Sequence, residues 1–244
     1  MTTKTIGLIG GMSWVSTVPY YEIINETVNA ELGGLHSARL LLYSVDFAEI
    51  EALQHGGRWE EAGDLLADAA RRLAVAGADF LVLCTNTMHR VAARIEAAVD
   101  IPLLHIADAT AAVIAADSLH RVGLIGTRFT MEEPFYRDRL AERHGLDVLV
   151  PDAGERETVH RVIYEELCRA EIRADSRGAF VTIANGLVAR GAQGLILGCT
   201  EVGLLLEPGA VAVPLYDTAR LHAQAAARHA LPGRGGGYGS SVAR

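Results

Sequence analysis

Two short runs hold the residues best suited to chemistry. Cys84-Thr85-Asn86-Thr87 and Gly198-Cys199-Thr200-Glu201 each follow an apolar stretch and place a thiol or hydroxyl where polar residues begin. Each apolar stretch reads as a buried strand and the segment after it as a helix. In open α/β sheets, sites form outside the carboxyl ends of the strands. Backbone N–H groups after Thr85 and Cys199 would then be available to a carboxylate, with Asn86, Thr87 and Thr200 adding polar side chains. A free thiol titrates near 8.5, so only ~3% is ionised at pH 7. A helix N-terminus lowers that value and stabilises the anion, which makes Cys199 a candidate general base. Cys168 is expected inside a helix over residues 155–168, as a small buried hydrophobe. Cys84 reads the same way, because strand side chains alternate faces and Thr85 would point the other way.

The glycine turns say less. Gly7, Gly10 and Gly11 do not form GxGxxG, no acidic ribose ligand follows ~20 residues on, and there is no GxxxxGK[ST]. The Gly10-Gly-Met-Ser-Trp turn, with Met12 and Ser13, and the matching turn with Thr127 and Thr130 read equally as structural turns or as ligand turns. His89 falls one helical turn after Thr85 and reads more readily as a surface or packing histidine than as a base. Glu201 is placed either to meet a substrate ammonium or to favour a helix N-terminus. Met88 and Trp14 read as packing residues.

These runs need elements to hold them. Residues 5–10, 38–45, 80–84, 103–105, 122–126, 148–150, 194–198 and 213–216 are short runs rich in Val, Ile and Leu without alternation, as strands buried on both faces should be. Amphipathic stretches over 17–31, 59–76, 88–99, 108–115, 131–144, 155–168, 175–190 and 217–229 predict the helices between them. Strand–helix alternation predicts an α/β fold with parallel sheets flanked by helices. Residues 232–244, rich in Gly and Ser, are expected to be a disordered tail outside the fold.

The chain also repeats itself. Thr5-Ile-Gly-Leu-Ile-Gly returns as Arg121-Val-Gly-Leu-Ile-Gly after 116 residues, Ala78-Asp-Phe-Leu-Val-Leu as Ala192-Gln-Gly-Leu-Ile-Leu after 114, and Ile101-Pro-Leu-Leu as Val213-Pro-Leu-Tyr after 112. Ordered, nearly constant offsets predict two pseudosymmetric domains, one of residues 1–103 plus 216–231 and one of 104–215. The alignment sets Thr85 against Cys199, one on each wall of a cleft between the domains.

Composition excludes other classes. The 244 residues are half hydrophobic and carry a formal net charge of −8, which disfavours nucleic acid or anionic membrane as a partner. Apolar runs fall short of the ~18 residues that a membrane span needs, and the N-terminus lacks the pattern of a signal peptide. Three cysteines cannot all pair, and no CxxC or HExxH spacing suggests a metal site. A reducing cytoplasm is the expected location. Of 22 basic residues only Lys4 is a lysine, and it precedes the first strand, a poor place for the Schiff base of pyridoxal phosphate.

Gly-Gly-Met-Ser-Trp, Cys-Thr-Asn-Thr-Met-His and Gly-Cys-Thr-Glu in this order resemble the aspartate/glutamate racemase family, over residues 4–230. The broad-specificity amino-acid racemase branch is the nearest in look, through Gly34-Leu-His-Ser-Ala, Ser44-Val-Asp-Phe and His105-Ile-Ala-Asp-Ala-Thr. The resemblance implies two pseudosymmetric α/β domains, no cofactor, an amino-acid substrate in the cleft between domains, and a homodimer. It also implies two facing thiols, one removing the α-proton while the other reprotonates the opposite face. Here the first motif carries Thr85 where the family has cysteine, so only Cys199 fills a catalytic thiol position. Slow or directionally unequal racemisation is expected. Aspartate-specific members have a lysine where Cys168 stands and an arginine near Ile50; their absence points to neutral or varied side chains. On the physical reading of these residues, Asn86, Thr87, Thr200 and backbone N–H groups would bind the α-carboxylate, Met12, Ser13, Thr127 and Thr130 would line the pocket, and Glu201 would meet the ammonium.

Other chemistries share this outline. Malonate decarboxylation, hydantoin racemisation and maleate isomerisation also use thiols placed in this way. An amino-acid-binding protein that has lost its chemistry along with one cysteine is a further alternative.

Overall fold

The computed structural model describes residues 3–233. Most of the Gly/Ser-rich tail predicted from residue 232 therefore lies outside the described residues. The chain divides into two compact units. One takes the chain up to Ile106 and again from His222, and the other comprises Ala107–Leu221.

In the first unit, β1 (Ile6–Gly10), β2 (Leu40–Ser44), β3 (Phe80–Leu83) and β4 (Leu103–Leu104) form a parallel sheet in the order β2-β1-β3-β4. Its helices are α1 (Trp14–Leu32), α2 (Phe47–His55), α3 (Trp59–Val75) and the short α4 (Ala92–Glu96). In the second unit, β5 (Arg121–Gly126), β6 (Asp147–Leu149), β7 (Leu195–Gly198) and β8 (Leu215–Asp217) repeat the scheme in the order β6-β5-β7-β8. Around them lie α5 (Ile106–Ala116), α6 (Arg128–Glu132), α7 (Pro134–His144), α8 (Ala153–Glu165) and α9 (Ala174–Ala189). The last helix, α10 (Thr218–Ala230), contains the step from Leu221 to His222.

The two sheets are the same sheet twice, down to register. Gly7 pairs with Leu81 and Leu81 with Leu103; Gly123 pairs with Leu195 and Leu195 with Leu215. These equivalent positions differ by 116, 114 and 112 residues, the offsets of the sequence repeat.

Burial follows the apolar runs. β1, β3 and β7 are buried at every residue, whereas the edge strands β2 and β6 are partly exposed. On α3, Ala62, Leu66, Ala69, Ala70 and Leu73 recur at helical spacing and are buried with Ile9, Leu81 and Leu83 of the sheet.

The helices depart from expectation in several places. α2, begun by Asp46 accepting from the Ala48 N–H, is too short at nine residues to show a clear period. The stretch expected as one helix over 88–99 is a 3₁₀ turn, Thr87–Val91, followed by α4. Pro134, favourable at a helix start, separates α6 from α7 within the stretch expected as one helix over 131–144.

Candidate active site

The two runs sit just beyond β3 and β7. Gly126 and Gly198, facing each other at the ends of β5 and β7, bring these strands close: a Cβ on Gly126 would lie 2.6 Å from the Gly198 carbonyl oxygen. That approach sets where Cys199 leaves the sheet.

Cys199 is buried, and its Sγ donates to Glu201 Oε2 at 3.0 Å. Thr200 Oγ1 donates to the same oxygen at 2.7 Å. Burial pushes the Cys199 thiol well above its ordinary pKa, and the Glu201 carboxylate and Cys168 add to the rise. This reverses the expectation of a lowered pKa. Only a three-residue 3₁₀ turn, Val202–Leu204, follows Cys199, so no aligned helix of peptides is there to stabilise a thiolate. The resting group is a thiol hydrogen-bonded to a carboxylate. Glu201, expected to meet a substrate ammonium or to favour a helix N-terminus, accepts from Cys199 and Thr200 and stands just before that 3₁₀ turn.

Cys168 also departs from expectation. α8 ends at Glu165, and Cys168 lies in a separate 3₁₀ turn, Leu167–Arg169. It is near enough to Glu201 and Cys199 for their charges to interact; burial first, then Glu201, pushes its thiol up. Nothing in the local sequence pattern signalled this neighbourhood.

In the first unit, Thr85, Asn86 and Thr87 are buried together at the end of β3. The Thr85 N–H bonds back to the Leu83 carbonyl at 2.8 Å. Cys84 is sealed in the core with its Sγ directed at the Val82 carbonyl, and burial pushes its thiol up. It behaves as the buried hydrophobe that alternation predicted.

His89 is neither a surface residue nor merely packed. It is buried, its Nδ1 lies 2.7 Å from the Thr85 carbonyl oxygen, and the Ile106 N–H donates to its Nε2 at 3.2 Å.

The turn residues divide. Met12 belongs to the apolar core cluster together with Ile50, and its peptide bond to Ser13 is cis. Ser13 is buried ahead of α1, where its carbonyl accepts from Ser16 Oγ at 3.1 Å and Thr17 Oγ1 at 2.8 Å. Gly11 has φ of +94°, and a Cβ there would strike the Val45 backbone. Thr127 starts α6, its Oγ1 accepting from the Thr130 N–H at 3.3 Å and lying 3.1 Å from Thr130 Oγ1. Met88 packs in the core, but Trp14, expected to pack, is 69% exposed.

Lys4, the single lysine, lies before β1, with Nζ 3.2 Å from His229 Nε2. Among the described residues, no group of three His, Cys, Asp or Glu could hold a metal ion. None of their helices is long and apolar enough to cross a membrane.

Two repeated α/β units, with a thiol after one β-strand and a hydroxyl at the equivalent place in the other, define a class of duplicated α/β protein. Residues 9–226 match the Asp/Glu/hydantoin racemase family, and the chain belongs to it, among the isomerases. A proposed Asp/Glu racemase from Yersinia pestis is 56% identical with a TM-score of 0.87, covering 93% of this chain and 99% of the other. An aspartate racemase homologue from Pyrococcus horikoshii OT3 is 34% identical with a TM-score of 0.78, covering 91% and 97%. The broad specificity amino-acid racemase RacX of Bacillus subtilis (strain 168) is 22% identical over 218 residues, which are 87% of this chain and 92% of RacX.

Proposed function

We propose that this protein is a cofactor-independent amino-acid racemase with Cys199 and Thr85 as the groups on the two faces of the substrate α-carbon. The observation that carries the reading is the buried Cys199 thiol donating to Glu201 at 3.0 Å. Glu201 takes the thiol proton, and the thiolate so formed removes the α-proton from one face of the amino acid. Asn86, Thr87, Thr200 and nearby backbone N–H groups bind the α-carboxylate and stabilise the charge as the α-carbon becomes planar. A proton delivered through Thr85 to the opposite face completes inversion. Cys199 then carries the substrate proton, Glu201 releases the original thiol proton to solvent, and Thr85 recovers from water the proton it passes on, so one proton leaves and one enters per inversion. Lys4, at the amino end of β1 and away from the carboxyl ends of the strands, is poorly placed to anchor pyridoxal phosphate, which supports a reaction without that cofactor.

An aliphatic hydroxyl is far too weak an acid to ionise near pH 7, so abstraction from the Thr85 face is slow and the maximal rates of the two directions differ, while kcat/KM stays equal in both because the equilibrium constant is one. Apolar Ile50, buried in the core, and uncharged Cys168 support neutral or varied side chains in the pocket. The 56% identity to a protein proposed to act on Asp or Glu favours a second reading, an acidic substrate.

The test is α-proton exchange by NMR in deuterated water, on separate L- and D-panels that include Asp, Glu and neutral amino acids. The expected result is exchange in the wild type and none in Cys199→Ser. No exchange with any amino acid would overturn the racemase reading; carbon dioxide release from malonates would replace it with decarboxylation, and binding without exchange would make the protein a binder.

A further inference from the structure

Three buried histidines of the first unit, His89, His105 and His222, lie around the segment that leads out of β4. The His89 and His105 rings are 4.3 Å apart, and those of His89 and His222 are 6.0 Å apart. His222 Nε2 is 2.8 Å from the Leu104 carbonyl oxygen, and its Nδ1 is 3.0 Å from the Tyr20 hydroxyl. A nitrogen facing a carbonyl must carry the proton, so Nε2 of His222 donates and Nδ1 accepts from Tyr20.

The same reasoning assigns His89. Its Nε2 faces the N–H of Ile106 and must be bare; its Nδ1 faces the Thr85 carbonyl and must carry the proton. Neutral His89 in this one tautomer is the link between the backbone of Thr85 and that of Ile106. The imidazolium has no bare nitrogen and cannot make both bonds.

We propose that His89 is a positioning residue for Thr85. By donating to the Thr85 carbonyl while held by Ile106, it fixes the backbone that aims the Thr85 hydroxyl. The inference rests on the reading of Thr85 as the group at the second face. Its consequence is specific to that face: a displaced Thr85 impairs inversion and leaves abstraction by Cys199 intact.

Two amide variants separate the bonds of His89. In His89→Asn the amide nitrogen falls where Nδ1 stands, keeping the donor to Thr85 but not the acceptor for Ile106. In His89→Gln the amide falls where Nε2 stands, keeping a partner for Ile106 and losing the donor to Thr85. The measurement is the ratio of inverted product to α-proton exchange in deuterated water. The ratio is expected to fall about tenfold in His89→Gln, the effect of ~1.4 kcal/mol, with Cys199-dependent exchange unchanged and His89→Asn close to wild type. Equal behaviour of the two variants, or parallel loss of exchange and inversion, would overturn the proposal. Absence of exchange in the wild type would instead overturn the racemase reading.

A second readout does not need turnover. In protein carrying Thr85→Cys, the alkylation rate of the introduced thiol, followed by peptide mass spectrometry, is expected to change with His89→Gln and not with His89→Asn. Equal rates in all three proteins would count against positioning. Circular dichroism on each variant distinguishes a displaced turn from an unfolded chain.

Discussion

At the scale of single residues, the chemistry is decided by where the Cys199 proton rests. Burial and Glu201 both favour the thiol; in the proposed reaction the carboxylate therefore has two effects, raising the thiol pKa and receiving its proton. Glu201→Gln removes both. Exchange at the α-carbon is expected to fall about a hundredfold, a typical contribution of one general acid–base group. The pH at which Cys199 becomes half alkylated should move down, since a carboxylate that disfavours the thiolate is gone; an unmoved alkylation profile would argue against the pairing. Thr85→Cys tests the other face. Supplying an ionisable thiol there should raise turnover and make the two directions more equal, and an unchanged or lower rate would count against Thr85.

At the scale of elements, two joints hold the second unit in shape. Gly126 and Gly198 let β5 and β7 close on one another where Cys199 emerges. Gly126→Ala forces a methyl against the Gly198 carbonyl and is expected to cost about 1–3 kcal/mol in unfolding by denaturant. It should also lower Cys199-dependent exchange. The second joint is Asp108 on α5, which accepts from Arg139 of α7 at 2.7 and 2.6 Å and lies 3.0 Å from His144 Nε2. Burial pushes the Asp108 carboxyl up, but the bonds from Arg139 and His144 outweigh it and leave the pKa below its ordinary value. A depressed folded-state pKa means stability that is present above the unfolded-state value near 3.9 and is lost as pH falls through the folded-state value. Asp108→Asn should therefore destabilise the protein at pH 7 by about 1.5–3 kcal/mol, and the difference from wild type should shrink below pH 4. A difference independent of pH would show that the ion pair is not its source.

At the scale of the whole molecule, the chain builds one sheet plan twice, and the two runs that carry chemistry fall at equivalent strand ends. A ligand that binds only the folded form stabilises it by about 2.7 kcal/mol at a hundred times its Kd. Thermal unfolding with a panel of amino acids should thus show upward shifts for the substrates. Shifts restricted to Asp and Glu would select the acidic reading, whereas shifts with neutral side chains would select the broad one.

Much of this plan is legible in the amino acids themselves. Strands buried on both faces must be short apolar runs, so β1, β3, β5 and β7 show directly in the sequence, and a repeated register leaves a repeated spacing. The equivalence of Thr85 and Cys199 and the burial of Cys84 follow from those local rules. Folding alone decides the rest, because it depends on what surrounds a side chain from every direction. The turn after β7 removes Cys199 from water and brings Cys168 close to Glu201, so the thiol stays protonated where a helix N-terminus alone would have ionised it. His89 acquires its tautomer only when β4 brings Ile106 to one nitrogen and the end of β3 brings Thr85 to the other. Desolvation and hydrogen-bond partners from distant segments set protonation, and no spacing along the chain encodes them.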